Sequence, residues 1–472
     1  MALAIFSEER RKWWTLAAVS FGLFMIMLDN TVVNVALPAI QEDLGADLSQ
    51  LQWIVTGYAL SFAALMLIGG KLADAYGRRL IFVAGILLFT GASLWCGLAD
   101  SGEMLIAARV VQGIGAALMN PATLSIISAT FPPRQRGAAI GIWAGVSALA
   151  LAIGPLVGGL LTEHLSWHWI FFVNVPVGAV AIAASYLLIT ESRDETHESL
   201  DLPGLGTSAL GLFALTYGLI EANDYGWTSA RIVGSFVVAV VALAAFVVIE
   251  RRRRSPMLDL SLFRSGTYAG ANIAMLLVAL AMFGVFFFVS LYMQNVLGYS
   301  AVQAGAAFLP MTLIIILVAP VAGRASDRYG SRWLMTVGMV LLGVQLLYLS
   351  QLGPDATFWN LLPGFAVGGI GMALSMTPTA AAATRAVPVD KSGVGAAVLN
   401  AMRQVGGSLG IALMGAIVAA EASGRPGLDG FMAGFEQALF VAALIAFAGS
   451  VVAFALVRQE PAPDVAPVEL AA

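Results

Sequence analysis

The stretch "LFMIMLDNTVVNVALPAI", residues 23–40, decides how this chain is read. It continues an apolar run that begins at Trp13 and sets Asp29 inside it. The chain around it is 472 residues long, 59% hydrophobic and only 11% charged, with mean hydropathy +0.87. Soluble domains carry roughly 25% charged residues, so one core cannot hide these side chains and they must face lipid. Asp29 is therefore a carboxylate inside a membrane span, and it needs an interior position and a partner or a proton.

Working outward, a span needs about 20 apolar residues. Fourteen segments meet or approach that length: 13–37, 51–72, 80–98, 104–129, 137–161, 168–190, 203–222, 230–249, 268–296, 303–324, 333–351, 358–382, 393–419 and 434–457. The apolar run after "SEERRK" is too long for a signal-peptide core and reads as an uncleaved first span. With the N-terminus cytoplasmic and the loops alternating, 20 of the 24 Lys and Arg fall on the cytoplasmic side, so an even helix count with both termini inside is expected. Arg251 to Arg254 read as a topology anchor at the end of the eighth span. The single cysteine, Cys96, excludes an internal disulfide and reads as a small buried hydrophobe.

One internal repeat is visible. "GKLADAYGRR" (Gly70–Arg79) follows the second span and "GRASDRYGSR" (Gly323–Arg332) the tenth, with Gly, Asp, Tyr-Gly and the last Arg at the same offsets. Two similar halves with a site between them is the logic of secondary transporters. The expected division is a six-helix bundle over 1–190, a linker with two inserted helices over 191–265, a second six-helix bundle over 266–457, and a disordered tail over 458–472. The fold class is all-α and polytopic.

Five stretches in order carry a resemblance: "LDNTVVNVALP", "GKLADAYGRR", "RVVQGIGAALMNPA" (Arg109–Ala122), "GIWAGVSALALAIGPLVGG" (Gly141–Gly159) and "WHWIFFVNVPVG" (Trp167–Gly178). Over residues 13–457 the chain resembles the major facilitator superfamily, specifically its fourteen-helix drug:proton antiporter branch. It departs from the usual motifs at Ala150, where the family has glycine, and at His168, where arginine is more common. The resemblance implies a proton-coupled antiporter that exports amphipathic, often cationic organic compounds from the inner (plasma) membrane by alternating access. It further implies that the fifth helix helps seal the outward pathway.

The residues support site expectations of their own. Gly141, Gly154, Gly158 and Gly159, with Ala150, give one face that a neighbouring helix can approach closely, and Pro155 permits a bend. In the two loops, Gly70 and Gly77 suit tight turns and Asp74 can cap a helix N-terminus. Arg78 and Arg79 can bridge to carboxylates. The loops read as a breakable cytoplasmic clamp between the halves, with Asp327, Arg328 and Arg332 in the second copy; the alternative is a basic loop that only sets topology.

Asp29 and Arg109 differ in height by roughly 5 Å at 1.5 Å per residue, so they can meet directly or through Gln112. The pair is either a static tie between two helices or the proton-coupling site, where substrate and proton compete. A further alternative has Asp29 bind cargo while another acid, Glu221 or Glu421, carries the proton. Arg403 is a second cation within a span, either a structural tie or a substrate contact. Expected substrate contacts are Asn34, Tyr58, Gln112, Phe287, Tyr292, Asn400 and Arg403, aromatic faces suiting organic cations.

No phosphate-cradling Gly-Lys-Ser/Thr loop occurs in the sequence, which argues against ATP hydrolysis. His164 and His168 lack the third ligand a metal site needs. The expectation is a transporter, not an enzyme, without metal or cofactor and driven by a proton gradient. Its expected partners are lipophilic small molecules, protons and membrane lipids, with no nucleic acid, and it is expected to act as a monomer. Dedicated export of one metabolite or antibiotic, and a non-transporting membrane sensor, are the alternatives.

Overall fold

The computed structural model describes residues 8–193, 201–253, 256–388, 391–425 and 427–458. The tail expected after Arg458, Arg254 of the basic anchor and most of the acidic link ahead of Asp201 lie outside the described residues. The fourteen segments are α1 (Glu8–Leu44), α2 (Leu48–Tyr76), α3 (Arg78–Gly97), α4 (Gly102–Thr130), α5 (Pro133–His164), α6 (Trp169–Leu188), α7 (Leu202–Tyr225) and α8 (Ala230–Arg252). They continue with α9 (Gly266–Val296, its last turn a π-helix), α10 (Ala301–Tyr329), α11 (Arg332–Ser350), α12 (Phe358–Arg385), α13 (Ser392–Gly424) and α14 (Leu428–Leu456). Among the described residues thirteen are continuous spans long and apolar enough to cross a membrane. The fourteenth, α5, bends by 40° between Leu151 and Ile153, just ahead of Pro155.

Helices are the expected outcome where no water can satisfy a backbone, because each span closes its own hydrogen bonds. The helices outrun the apolar stretches at many ends. α1 reaches Leu44 where the hydropathy stops at 37, since polar turns are tolerated once they emerge into the interface. Polar residues then set the starts. Asp47 and Gln50 form a capping box on α2, and Ser300 and Gln303 form one on α10.

Helix pairing repeats with an offset of eight. α1 packs on α5, α2 and α3 on α4, and α3 and α1 on α6; likewise α9 packs on α13, α10 and α11 on α12, and α11 and α9 on α14. The two sets meet through α2 against α13 and α5 against α10, again a pair that exchanges under the same offset. α7 and α8 pack on each other, and α7 lies against α2 and α13. α8 presents Val237, Val240 and Val241 outward, as a lipid-facing helix does.

The halves touch most closely at the end away from the two repeated loops. Gly159 of α5 has no room for a side chain against the Ala301 carbonyl of α10, and Gly305 of α10 has none against the Pro155 carbonyl. Hydrogen bonds follow the same end: Gln52 Nε2 donates to Ile411 O (2.9 Å), Ser290 Oγ to Asn34 O (2.9 Å) and Gln294 Nε2 to Val35 O (3.0 Å). Toward the loop end, Gly141 and Gly145 of α5 and Gly393 of α13 have open space where a Cβ would point. Among the described residues the hydrogen bonds between the halves thus gather at the end away from the loops.

Candidate functional site

Asp29 and Arg109 meet directly. Arg109 Nη1 contacts Asp29 Oδ2 at 2.5 Å, and both side chains are almost completely buried. Gln112, one turn along α4, ties both ends of the pair. Its Oε1 accepts from Arg109 Nη1 at 2.7 Å and its Nε2 donates to Asp29 Oδ1 at 3.0 Å. Arg109 Nε donates to the Ile54 carbonyl of α2 (3.1 Å), and its guanidinium lies 4.2 Å from the Tyr58 ring centroid. That stacking supplies the weakly hydrated guanidinium with an aromatic face inside the protein.

The network extends beyond what the sequence shows. Gln112 Nε2 also donates to Ser93 Oγ of α3 (3.2 Å), which accepts from Asn174 Nδ2 of α6 (2.9 Å) and donates to the Phe171 carbonyl (3.1 Å). Cys96 Sγ lies 3.7 Å from Gln112 Oε1. Five helices, α1, α2, α3, α4 and α6, thus converge on one buried ion pair. Asn174 carried a signal, being an amide inside the apolar run "FFVNVPVG"; Ser93 carried none.

The remaining residues fall into three places. Gly154 and Gly158 let α5 close on α1, a Cβ at Gly158 meeting the Val32 carbonyl at 2.6 Å. Gly159 and Pro155 form the close approach to α10, and Gly141 lies in the open part. At the loop end, Gly77 and Gly330 both take positive φ (125° and 81°), a conformation only glycine adopts cheaply, and they turn α2 into α3 and α10 into α11. Asp74 pairs with Arg78 on its own loop (2.9 Å), so its expected capping role passes to Glu191. The Glu191 carboxylate accepts from the backbone N–H of Arg79 and Leu80, at the positive end of α3, and reaches Arg79 Nε at 3.7 Å. In the second copy Asp327 pairs with Arg385 of α12 (3.1 Å), and Arg332 stacks on Phe454. Arg328 lies over Tyr329, and Gly70 faces Pro121. These contacts join each loop to its own half or, through Glu191, to the link that follows it, and Lys71 of the first loop donates to the Pro256 carbonyl (3.1 Å).

The expected cargo contacts divide. Asn400 and Arg403, one turn apart on α13, are half-buried, and Asn34 of α1 is nearly buried with its Oδ1 unpartnered. Tyr58 and Gln112 belong to the ion-pair network. Phe287 and Tyr292, also expected to contact cargo, are fully buried in this structure. Phe287 packs on Phe288, while Tyr292 stacks on Phe435 and donates its hydroxyl to the Gly353 carbonyl (2.6 Å). Helical phase is the reason: Phe283 and Phe286, spaced by three, hold the half-exposed face of α9. His168 stacks on Trp167 at 3.8 Å, and Trp167 Nε1 donates to Asp43 (2.8 Å), so this pair forms an interfacial aromatic cluster.

A bundle of two similarly packed halves, with an ion pair buried in one of them, is the architecture of a secondary transporter. The sequence profile of the Major Facilitator Superfamily matches residues 19–411 and, in a second match, 271–472. The chain belongs to that superfamily. It is 39% identical over 410 residues to the tetracenomycin C resistance and export protein of Streptomyces glaucescens, covering 87% of this chain and 76% of that protein. It is 37% identical to the multidrug resistance protein Stp of Mycobacterium tuberculosis (strain CDC 1551 / Oshkosh; 87% and 77% covered). To the puromycin resistance protein pur8 of Streptomyces alboniger it is 38% identical (87% and 82% covered). Among solved structures it shares its fold with a bacterial homologue of the human lysosomal transporter Spinster in an inward-facing, unoccupied conformation (TM-score 0.65, 19% identity, 95% and 97% covered). It also shares it with a peptide transporter, POT, in complex with sulfate (TM-score 0.68, 15% identity, 96% and 99% covered).

Proposed function

We propose that this chain is a proton-coupled antiporter of the cell's inner (plasma) membrane that exports amphipathic, often cationic organic compounds. The observation that carries the reading is the buried Asp29–Arg109–Gln112 network. A proton arriving on Asp29 breaks its ion pair with Arg109, while Arg109 keeps the Ile54 carbonyl, Gln112 and the Tyr58 ring. Charge on Asp29 is thereby linked to how five helices are held, and exchange needs that link. Cationic cargo and the proton compete for one carboxylate. The loop end is assigned to the cytoplasm because 20 of 24 Lys and Arg lie there. In that assignment the close contacts of Gly159 and Gly305 between the halves lie on the outer side and form the outer seal.

The proposed energy source is the proton gradient alone, the proposed working unit is a monomer in lipid, and no catalytic chemistry is assigned. The names of several relatives specify resistance to one antibiotic, which favours dedicated export of a single compound as a second reading. Proteoliposomes with an imposed pH gradient test both. Gradient-driven movement of several unrelated lipophilic cations supports the broad antiporter, and movement of one compound supports the dedicated exporter. Transport indifferent to the gradient removes the antiport reading.

A further inference from the structure

Arg403 of α13 is the ionisable side chain that the ion-pair network leaves unused. It lies eleven residues into a 33-residue helix, about 16 Å along its axis at 1.5 Å per residue, well inside the hydrocarbon depth. A guanidinium there is expensive and normally pairs with an acid or with carbonyls. Among the described residues Arg403 has neither. It makes no ion pair, and its Nε is sealed from solvent with no acceptor. The side chain as a whole is only half-buried, so its outer end opens onto space. Asn400, three residues earlier, shares that face and is also half-buried. Its Nδ2 is occupied by the Ala396 carbonyl at 3.1 Å, leaving Oδ1 as its free polar atom.

Unpartnered polar atoms that can donate a hydrogen bond lie on both halves. Gln404 Nε2 is buried and unpaired, and the Tyr58 hydroxyl of α2, in the opposite half, is buried and unpaired too. Tyr58 lies within electrostatic range of Arg403, and its ring carries Arg109. The second half therefore presents an unneutralised positive charge to a region that also holds unpaired hydrogen-bonding groups. The buried acid of the network, Asp29, is already consumed by Arg109 and Gln112. A cation would find no free carboxylate here, whereas a carboxylate, enolate or phenolate would find a forked donor in a low-dielectric setting.

We infer that Arg403 seats an anionic group of the transported compound, so that acidic or zwitterionic amphiphiles are among its cargo. The inference rests on the transport reading for what the bound molecule is. An acid on Arg403 lies within electrostatic range of Tyr58, whose ring contacts Arg109, and this gives cargo a route to the Asp29 pair distinct from displacing it.

The test uses the full chain in lipid nanodiscs and two probes that differ in one charge: a xanthene dye with a free carboxyphenyl group and the methyl ester of the same dye. Equilibrium binding is read by fluorescence anisotropy at neutral pH. The unaltered protein is expected to prefer the acid. Arg403→Gln should weaken the acid roughly tenfold or more, the worth of one charge-assisted hydrogen-bonded contact, and change the ester by less than about twofold on the same scale. Arg403→Lys should recover part of the acid binding. Equal losses for both dyes, equal affinities in the unaltered protein, or no binding of the acid would each overturn the inference. Binding needs no gradient. Acid preference with gradient-independent transport therefore removes only the antiport reading, and gradient-driven transport without acid preference removes only this one.

Discussion

Replacing Asp29 with asparagine is the perturbation that bears hardest on the proposed mechanism. The substitution keeps volume and one acceptor oxygen but removes the charge and the capacity to take a proton. Breaking a buried ion pair by deleting one partner costs about 3–5 kcal/mol when the survivor is stranded. Arg109 is not stranded here, because Ile54 O, Gln112 Oε1 and the Tyr58 face remain. With asparagine supplying a neutral acceptor, the loss should be nearer about 1–3 kcal/mol, the range for hydrogen bonds to charged groups. Asp29→Ala, which supplies none, should approach the larger figure. The protein should therefore fold with asparagine and lose coupling completely. Two readouts separate these effects: thermal unfolding in detergent, and substrate-induced proton release followed with a pH-sensitive dye. Asp29→Glu should retain partial release with a shifted pH optimum. If the asparagine variant releases protons on adding substrate as the unaltered protein does, Asp29 is a static tie and the mechanism is wrong.

Four other outcomes follow. Asp74→Asn and Arg78→Ala should slow turnover more than they weaken binding, since the loop lies away from the ion pair and shapes rates between states; binding losses equal to the transport losses would contradict this. Gly159→Leu should block closure against Ala301 and leave a cysteine pair across α5 and α10 uncrosslinked, while Gly141→Ala, in open space, should behave as the unaltered protein. Single cysteines placed along α7 and α8, after Cys96 is replaced, should resist water-soluble thiol reagents in the helix interiors; substrate-protected labelling there would put the hairpin in the pathway. Lys391 and Ser261 hold the Asp259 carboxyl down at about 2 through hydrogen bonds. Its unfolded value is about 3.9, so this contribution is present above about pH 4 and is lost as pH falls through about 2. At this partly exposed pair Lys391→Met should cost less than about 1 kcal/mol and flatten the acid limb of a thermal-stability profile.

The number of spans, the alternation of basic loops and the repeat at 70–79 and 323–332 are legible in the sequence for a physical reason. In lipid each helix satisfies its own backbone, so spans are local, and a charge in the wrong place is costly enough to be conspicuous. The same cost marked Asp29, Arg109 and Arg403, and depth counting along two helices was enough to bring the first two together with Gln112. Contacts between helices are not local, and there the sequence fell silent. Nothing in the run around Ser93 marks it as the joint between Gln112 and Asn174, and nothing around Glu191 marks it as the cap of α3, 112 residues away. Phe287 and Tyr292 look like a cavity wall when read as composition, but helical phase turned them into the second half and gave the half-exposed face to Phe283 and Phe286. That Arg403 is left without a counter-charge among the described residues could be learned only from tertiary structure, because a missing partner is a property of every surface around a side chain and of no single stretch of chain.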